Sequence, residues 1–409
     1  MRTRVLQLIH ISDLHFQKGA PDKAAIALAG RAMDRKARDI VEKHNLGDWH
    51  EGTLGHDQVA VSAFRKFLTE CKRDEPEWFG DPSNNSSPQT WLIDTGDAST
   101  FGDVRSLAEA QKRLLEWKAE LKPCQFRSLY GNHDAWPGTQ PAFLASGYEA
   151  HIEQQWNDIR QWNEWCVENW KPLRVSAPGG ITFIECRAVN TVSLGLMDNV
   201  LAVGRISGDD VKDLCAQLTA APAGGLHILA MHHPIAFPYE TKERRVFGKE
   251  KMVLADAAEL IQKLRNDEGA PNGTGRAPLA HLFLSGHTHL AHPGTKLPPN
   301  LQTLYQGELS TRQAQFVTGS LLLPRDFKKV RANAQPQVST QANDKFALPQ
   351  IYDGTQQFEV LRFFHDDQLD DGFLLERYVF ARAPNGGDYR AVPELTNTIE
   401  GGDPVFIGW

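Results

Sequence analysis

The stretch VLQLIHISDLHF, residues 5–16, is a run of apolar side chains that leads into two residues able to bind metal, Asp13 and His15. A short apolar run flanked by polar residues is typical of a buried β-strand. We therefore predict a strand at Val5–Ile11 with Asp13 and His15 just beyond its carboxyl end. Five more runs have the same character: Trp91–Ile93, Phe126–Tyr130, Ile181–Ala188, Leu226–Met231 and Leu279–Leu284.

Helical patterns lie between these runs. In Ser106–Lys122 apolar residues recur near helical spacing, and Ser106 with Glu109 predicts a capping box at the start of the helix. Further helices are predicted at Pro21–Glu42, Val59–Cys71, Asp209–Leu218 and Lys251–Leu264. Strands that alternate with helices indicate βαβ units, so we predict an α/β protein with buried sheets and outer helices.

Two segments interrupt this alternation. Residues 17–89 separate the first two strands, and we predict a helical and loop insertion there that caps a pocket. Residues 311–356 are predicted to be a polar loop insertion, because 324–350 are polar and poorly patterned. QFEVLRFF and FLLERYVFAR flank HDDQLDDG, which predicts a β-hairpin at 357–383. The predicted main domain is therefore 1–309 plus 357–383, followed by a tail at 384–409.

Side chains that can bind metals follow the first, second, third, fifth and sixth of these runs. The sequences are DLH, DTGD, YGNHD, AMHHP and SGHTH, in that order along the chain. In an open α/β sheet, ligands bind outside the carboxyl ends of the strands. Carboxylate, amide oxygen and imidazole together suit Zn, Mn, Fe or Co. Each motif alone arises often by chance, but five in order, each behind an apolar run, indicate one shared metal site.

The series DLH, GD, GNHD, HHP and GHTH resembles the motifs of the calcineurin-like metallophosphoesterase superfamily. The HHP and GHTH forms are most similar to its bacterial cyclic-nucleotide and glycerophosphodiester phosphodiesterases. The resemblance covers about residues 5–15 and 91–309, and the predicted hairpin resembles the family's closing strands. It implies a four-layer α/β/β/α sandwich, here with a helical insertion and a C-terminal β-hairpin. Because 17–89 and 311–356 depart from the family pattern, we expect substrate choice to reside in them.

The resemblance also implies a dinuclear centre that holds two divalent ions, with Mn, Fe, Zn and Co as candidates. The implied ligands are Asp13, His15 and His289 for the first ion, Asn132, His232 and His287 for the second, and Asp97 as the bridge between them. His133 is implied to be a catalytic residue that binds no metal, oriented by Asp134. His233, the second histidine of HHP, is a candidate substrate-binding residue.

Charge favours a phosphate ester as the substrate of such a site. Two divalent ions bring four positive charges against the two negative charges of Asp13 and Asp97, so the centre stays positive. Ions roughly 3.5–4 Å apart can clamp phosphoryl oxygens and lower the pKa of bound water. A general acid such as His133 contributes about 10²–10⁴-fold. The leading hypothesis is a metal-dependent phosphodiesterase that acts on a small substrate, such as a cyclic nucleotide or a related diester.

Composition limits the partners and the compartment. The chain has 409 residues and a formal net charge of −7, which disfavours a polynucleotide partner but does not exclude one. Its five cysteines are scattered and form no CxxC pair, which predicts neither a zinc knuckle nor a disulfide framework. No apolar run approaches the ~20 residues needed to cross a membrane. We expect a cytoplasmic protein without a membrane partner.

Several alternatives stay open at this point. A DNA or RNA nuclease, a phosphomonoesterase or protein phosphatase, and a noncatalytic scaffold all occur on the implied fold, although a scaffold has no need for a complete ligand set. The tryptophan-rich segment Tyr148–Trp170 predicts either a helix packed on the main body or an aromatic wall beside the site that stacks a ring.

Overall fold

Two β-sheets form the centre of the computed structural model. It describes residues 2–16, 58–81, 84, 87–99, 104–135, 160–162, 164–166, 170–179, 182–192, 202–235, 245–246, 249–250, 254–265, 278–287, 313–322, 356–368, 372–382, 387–392 and 405–408. The strands are β1 (Arg2–Ile11), β2 (Gln89–Asp94), β3 (Gln125–Ser128), β4 (Leu173–Ser176), β5 (Phe183–Ala188), β6 (Gly225–Ala230), β7 (Arg245–Val246), β8 (Lys249–Glu250), β9 (Leu282–Ser285), β10 (Ala314–Val317), β11 (Gln356–Asp366), β12 (Gly372–Arg382), β13 (Arg390–Ala391) and β14 (Val405–Gly408). The helices are α1 (Gln58–Asp74), α2 (Val104–Glu120), α3 (Gly208–Thr219) and α4 (Ala257–Arg265), with a 3-10 turn at Pro76–Trp78.

The first sheet has the strand order β13–β12–β11–β1–β2–β3, and β14 also pairs with β12. Strands β1, β2 and β3 are parallel, with Leu8 opposite Trp91 and Leu92 opposite Phe126. The long hairpin of β11 and β12 joins this sheet through the antiparallel pairing of β11 with β1, which confirms the predicted hairpin. Strands β13 and β14 come from the predicted tail and extend the same sheet.

The second sheet has the order β10–β9–β6–β5–β4. Only β4 is antiparallel to its neighbour, so β5, β6, β9 and β10 end on the same edge. Three of the six predicted runs form β1, β2 and β3, the parallel part of the first sheet. The other three form β5, β6 and β9 of the second sheet. A short pair of β7 and β8 lies apart from both sheets.

Three apolar clusters divide the molecule into layers. The middle cluster joins the facing sides of the two sheets, with Leu8 from one sheet and Ile228 from the other. A second cluster packs α1 and α2 on the outer side of the first sheet, and a third packs α3 and α4 on the outer side of the second. This arrangement is the predicted four-layer α/β/β/α sandwich.

Helix α1 shows how the pattern of apolar residues determines this packing. Its buried residues Ala60, Val61, Phe64 and Leu68 recur at helical spacing and form one face. The Phe64 ring meets the Trp117 ring of α2 edge to face at 4.8 Å. The predicted helix at 59–71 is confirmed. Among the described residues, no helix combines the length and apolar character that crossing a bilayer requires.

The starts of two predicted helices are wrong. Helix α2 begins at Val104, so Ser106 lies inside the helix and cannot cap it. Glu109 instead pairs with Arg113 one turn later, at 2.8 Å. Helix α4 begins only at Ala257, because Leu254 is held in a bridge to Gly204. Helix α3 does have a side-chain cap, since the Ser207 hydroxyl accepts the amide hydrogen of Asp210 at 3.0 Å.

The tryptophan-rich segment is described only in part. Residues 160–162 and 164–166 are helical, and the Trp162 ring is buried in the outer cluster of the first sheet with Trp165 packed beside it. For these two residues the predicted packing on the main body is confirmed. Trp156 lies outside the described residues, as do the predicted helix at 21–42 and the polar loop at 324–350.

Candidate metal centre

The parallel strands bring most of the predicted ligands to one edge of the sandwich. Each side chain stands in the loop after a strand: Asp13 and His15 after β1, Asp97 after β2, Asn132 and His133 after β3, His232 and His233 after β6, and His287 after β9. All of them are buried. His289 lies outside the described residues, so its predicted role as a ligand stays a prediction.

The backbone is strained at four of these positions. Asp13, His15, Asp97 and His287 have φ angles of 54°, 50°, 55° and 71°. Residues other than glycine rarely adopt this left-handed conformation, which costs of order 1–3 kcal/mol and persists only where the surroundings enforce it. The conformation turns the chain sharply beyond each strand, so that successive side chains face the same point.

Backbone hydrogen bonds hold the first two loops side by side. The amide of Asp13 donates to the Gly96 carbonyl at 2.9 Å, and the amide of His15 donates to the Asp97 carbonyl at 2.9 Å. The amide of His287 in turn donates to the Asp13 carboxylate at 3.0 Å. Loops from the two sheets are therefore joined directly at the site, and their side chains are fixed before any ligand binds.

Glycine is required where two of these loops cross. A Cβ atom on Gly131 would lie 2.1 Å from Asp97 Oδ1 and 2.3 Å from the Asp97 amide nitrogen. No side chain can be accommodated at such distances without moving the backbone. The glycine of the GNHD motif thus allows the loop after β3 to approach the Asp97 carboxylate closely.

Four side chains converge at the predicted second metal site. His232 Nε2 lies 2.9 Å from Asn132 Oδ1, 3.1 Å from His287 Nδ1 and 3.3 Å from Asp97 Oδ2. Ligand atoms bound to one ion at about 2.1 Å lie roughly 3.0–3.4 Å apart, depending on the bond angle. The donor set, its spacing and the absence of a hydrogen bond to Asp97 Oδ2 from the described residues all fit a divalent ion.

The orientation of His232 is set by a backbone carbonyl. Its Nδ1 donates to the Thr95 oxygen at 2.9 Å, which directs Nε2 toward the other donors. A ligand histidine almost always makes such an outer hydrogen bond. Burial lowers the pKa of His232, but Asp97 and Asp13 outweigh this effect and raise it to about 9. The buried carboxylates therefore draw positive charge to this point.

The predicted first metal site is described in part. Donor atoms of Asp13, Asp97 and His232 lie within 4.8 Å of one another, as do those of His15, Asp97 and His133. Asp97 belongs to both groups, as its predicted bridging position requires. Burial alone would raise the pKa of Asp97, but His232 and His133 hold it well below its usual value, so the carboxylate is ionised.

A comparison with known protein families agrees with this geometry. The sequence profile described as calcineurin-like phosphoesterase matches residues 6–291, more than half of the chain. The chain belongs to the calcineurin-like phosphoesterase family. A comparison with curated protein sequences gave no significant match. Among solved structures, the phosphopantetheinyl hydrolase from Mycobacterium tuberculosis is similar at 13% identity and a TM-score of 0.31, with 85% of this chain and 99% of that chain covered.

His133 occupies the position of the family's catalytic histidine in GNHD. Its ring meets the His15 ring edge to face at 4.8 Å, and its amide donates to Asp97 Oδ1 at 2.8 Å. Its ring is thus fixed beside the predicted first metal site. Because one ring nitrogen lies close to donor atoms of His15 and Asp97, a ligand role and a catalytic role are both within reach, and the predicted catalytic role stays a prediction.

Asp134 has a different position from the one expected. Its carboxylate accepts hydrogen bonds from the amides of Gly131, Ala98 and Ser99 and from the Ser99 hydroxyl, at 2.7–3.2 Å. Among the described residues, no hydrogen bond joins this carboxylate to the His133 ring. The expectation that Asp134 orients His133 directly is therefore corrected: Asp134 ties the loop after β2 to the loop after β3.

His233 is fully buried beside His232 and His287, at the predicted second metal site of this calcineurin-like phosphoesterase. Its Nδ1 lies 3.0 Å from the Thr191 hydroxyl, and its Nε2 has no hydrogen-bond partner among the described residues. One donor atom of His233 lies within 4.8 Å of donor atoms of His232 and His287. The residue lines the metal centre, and its predicted contact with substrate stays a prediction.

Two functional contacts are absent from the sequence prediction. The Thr95 carbonyl orients His232, and the Thr191 hydroxyl orients His233. Thr95 lies inside the DTGD motif, so the sequence places it near the site. Every residue has a carbonyl, however, and only the fold shows that this carbonyl contacts His232. Thr191 follows a strand without any motif, and no signal in the sequence marks it.

Proposed function

We propose that this phosphoesterase is a metal-dependent phosphodiesterase that hydrolyses a small diester, such as a cyclic nucleotide or a related compound. One observation carries the proposal: His232 Nε2 lies within 2.9–3.3 Å of oxygen and nitrogen donors from Asn132, His287 and Asp97, contributed by both sheets. Each of these atoms can offer a lone pair to one divalent ion when the imidazoles are neutral and the carboxylate is ionised.

The residues around this place would bind two divalent ions. Asp97 would be shared by both ions, and the other ligands would be Asp13, His15 and His289 for the first ion and Asn132, His232 and His287 for the second. When bound, such ions neutralise phosphoryl oxygens and make water a better nucleophile. Mn, Fe, Zn and Co all accept this mixture of carboxylate, amide oxygen and imidazole.

The chain itself orients the substrate and moves a proton. His133 lies at the rim of the centre, where its exposed fraction of 8% is the largest among the predicted site residues that the structure describes. An imidazole at this position can hold a proton at one ring nitrogen and deliver it to the leaving oxygen of the ester. Asp134 keeps the loop that carries His133 against the loop of Asp97, which holds the imidazole in place beside the Asp97 carboxylate.

The preference for a small diester is supported by motif form and charge. The HHP and GHTH sequences resemble those of the cyclic-nucleotide and glycerophosphodiester branch, and the net charge of −7 disfavours a long polyanion. The parts of 17–89 and 311–356 other than α1 and β10, which belong to the outer helical layer and to the second sheet, are proposed to shape the pocket and to select the substrate.

Hydrolysis of synthetic esters tests the proposal. The protein, first stripped with a chelator and then loaded with Mn²⁺, is expected to hydrolyse bis-p-nitrophenyl phosphate faster than p-nitrophenyl phosphate at equal concentration. The stripped protein without added metal serves as the control. A panel of cyclic mononucleotides, glycerophosphodiesters, single-stranded DNA and monoesters then identifies the class.

Each outcome of that panel has a definite meaning. Faster turnover of the monoester would replace the diesterase proposal with a phosphatase. Cleavage of DNA with a steep loss of binding as salt increases would replace it with a nuclease. No turnover with Mn, Fe, Zn or Co would favour the noncatalytic scaffold.

A further inference from the structure

A chain of buried polar side chains lies between the two sheets, beneath the metal centre. His10 Nδ1 lies 2.6 Å from Glu359 Oε1, and Glu359 Oε2 accepts a hydrogen bond from Arg377 Nε at 2.7 Å. On the other side of the ring, His10 Nε2 lies 3.0 Å from the Thr95 hydroxyl. These four residues come from β1, β11, β12 and the loop after β2, and each is at most 2% exposed.

The chemistry of the partners gives the chain a direction. Burial alone would raise the pKa of Glu359, but Arg377 and His10 outweigh it and hold the pKa below its ordinary value of 4.5. The ionised carboxylate can only accept, so His10 Nδ1 carries the hydrogen of that bond. His10 Nε2 and the Thr95 hydroxyl share the next hydrogen bond, and the same hydroxyl lies 3.4 Å from the Ile11 carbonyl.

Thr95 connects this chain to the metal centre. Its amide donates to the Ile11 carbonyl at 3.0 Å, and its own carbonyl accepts the Nδ1 hydrogen of His232 at 2.9 Å. The residue is therefore held through its amide, its hydroxyl and its carbonyl. A shift of the Thr95 backbone would move the carbonyl oxygen that accepts the hydrogen bond from His232 Nδ1.

We infer that Glu359 and Arg377 are positioning residues for the second metal site, acting through His10 and Thr95 on His232. The inference rests on the proposed metal-dependent function. The hairpin of β11 and β12 lies far from β1 in sequence, since the numbers of His10 and Glu359 differ by 349. Through this chain the hairpin helps to keep the imidazole of His232 in the orientation that metal binding would require.

A purely structural role explains these residues less well. A buried ion pair must overcome the desolvation of both charges, and apolar residues of similar volume often stabilise a fold as much or more. Arg377 also has no hydrogen-bond partner for Nη1 or Nη2 among the described residues, although its guanidinium lies 4.6 Å from the centre of the Phe316 ring of the second sheet. Polar groups retained at such a cost suggest a demand for a fixed geometry.

Metal binding measured without any substrate tests the inference. Mn²⁺ affinity is determined by titration of the stripped protein, and the absorption bands of bound Co²⁺ report the ligand geometry. Thr95→Val keeps the shape and the carbonyl but removes the hydroxyl, and we expect about 10–100-fold weaker Mn²⁺ binding at one of two sites. The double variant Glu359→Gln/Arg377→Met leaves no unpaired buried charge, and we expect a loss of the same order.

Two controls separate positioning from folding. Thr95→Ser retains the hydroxyl and is expected to bind Mn²⁺ like the unaltered protein. Glu185→Gln removes a carboxylate from a histidine–arginine cluster elsewhere, in which Glu185 lies 3.6 Å from His227, and is expected to leave the Co²⁺ spectrum unchanged. Circular dichroism and thermal unfolding establish that each variant is folded.

Defined results would overturn the inference. Unaltered Mn²⁺ affinity and an unaltered Co²⁺ spectrum in folded Thr95→Val and in the folded double variant would contradict it, as would equal effects of Glu185→Gln. These readouts do not depend on catalysis. If the unaltered protein binds two ions but hydrolyses no phosphate ester, the proposed function fails while the positioning inference is still decided by the affinities.

Discussion

Histidines and carboxylates gather at two places on the second sheet, but only one of them forms a centre. Near the amino ends of its strands, Glu185 lies 3.6 Å from His227, and the His227 ring stacks on the His281 ring at 6.0 Å. At the carboxyl edge, donor atoms approach one another within 4.8 Å in groups of three. Every such group found among the described residues lies at that edge.

The backbone explains the difference. Glu185 and His227 belong to regular strands, where side chains stand perpendicular to the sheet and meet only their strand neighbours. Asp13, Asp97 and His287 lie in loops beyond the strands and have positive φ angles. Ligand convergence therefore depends on strained turns at the carboxyl ends, and residue type alone does not produce it.

The largest expected effect follows from removing the shared carboxylate. Asp97→Ala is expected to lose both ions and to reduce turnover of bis-p-nitrophenyl phosphate by more than about 100-fold. Loss of a residue that only hydrogen-bonds a metal ligand typically costs up to about 100-fold. His227→Gln, at the other cluster, is the matched control and is expected to keep both ions. Metal content by elemental analysis and turnover are measured together. A fully active Asp97→Ala protein would contradict the bridging role.

The second effect separates a catalytic histidine from a ligand. His133→Ala is expected to keep two bound ions and to lower kcat by about 10²–10⁴-fold, because only proton transfer is lost. His287→Ala, from the same edge, is expected to lose the second ion. The ratio of metal to protein and the separate effects on kcat and KM are the readouts. Loss of an ion from His133→Ala would assign His133 to the ligands instead.

The sequence predicts some of these features and misses others. Apolar runs followed by Asp, Asn or His predicted the strands and the edge, because burial and strand ends leave local signals. The contact between His10 and Glu359 leaves none, since the two residues are brought together only by the pairing of β1 with β11. The predicted capping box at Ser106 is wrong for another reason: the motif alone does not fix where a helix begins, and α2 begins two residues earlier, at Val104.

A third effect concerns the turn that makes convergence possible. Gly131→Ala would place a methyl group 2.1 Å from Asp97 Oδ1, and we expect a loss of about 1–3 kcal/mol in the free energy of unfolding together with weaker metal binding. Gly208→Ala is the control, because a methyl group at this position in α3 would have nothing within 4 Å. That control is expected to gain about 0.4–1 kcal/mol. Urea unfolding measures the stability of both variants. If Gly131→Ala were as stable as the unaltered protein, the loops after β2 and β3 could separate without cost.

The smallest expected effect tests whether the cluster of Glu185, Arg187 and His227 contributes only to stability. Burial alone would raise the pKa of Glu185, but His227 and Arg187 outweigh it and hold the pKa below the ordinary value of 4.5. A carboxyl group whose folded pKa is lowered contributes stability that is fully present above its unfolded pKa and is lost as pH falls through the folded value. Glu185→Gln removes this contribution, so the decline of unfolding free energy below about pH 4.5 is expected to become shallower, by less than the uptake of a single proton. Urea titrations from about pH 3 to pH 7 measure the slope, while Mn²⁺ affinity at neutral pH is expected to stay the same. Should the substitution leave the acid slope unchanged and weaken Mn²⁺ binding instead, the two clusters would have to be coupled, and the distinction between them would fail.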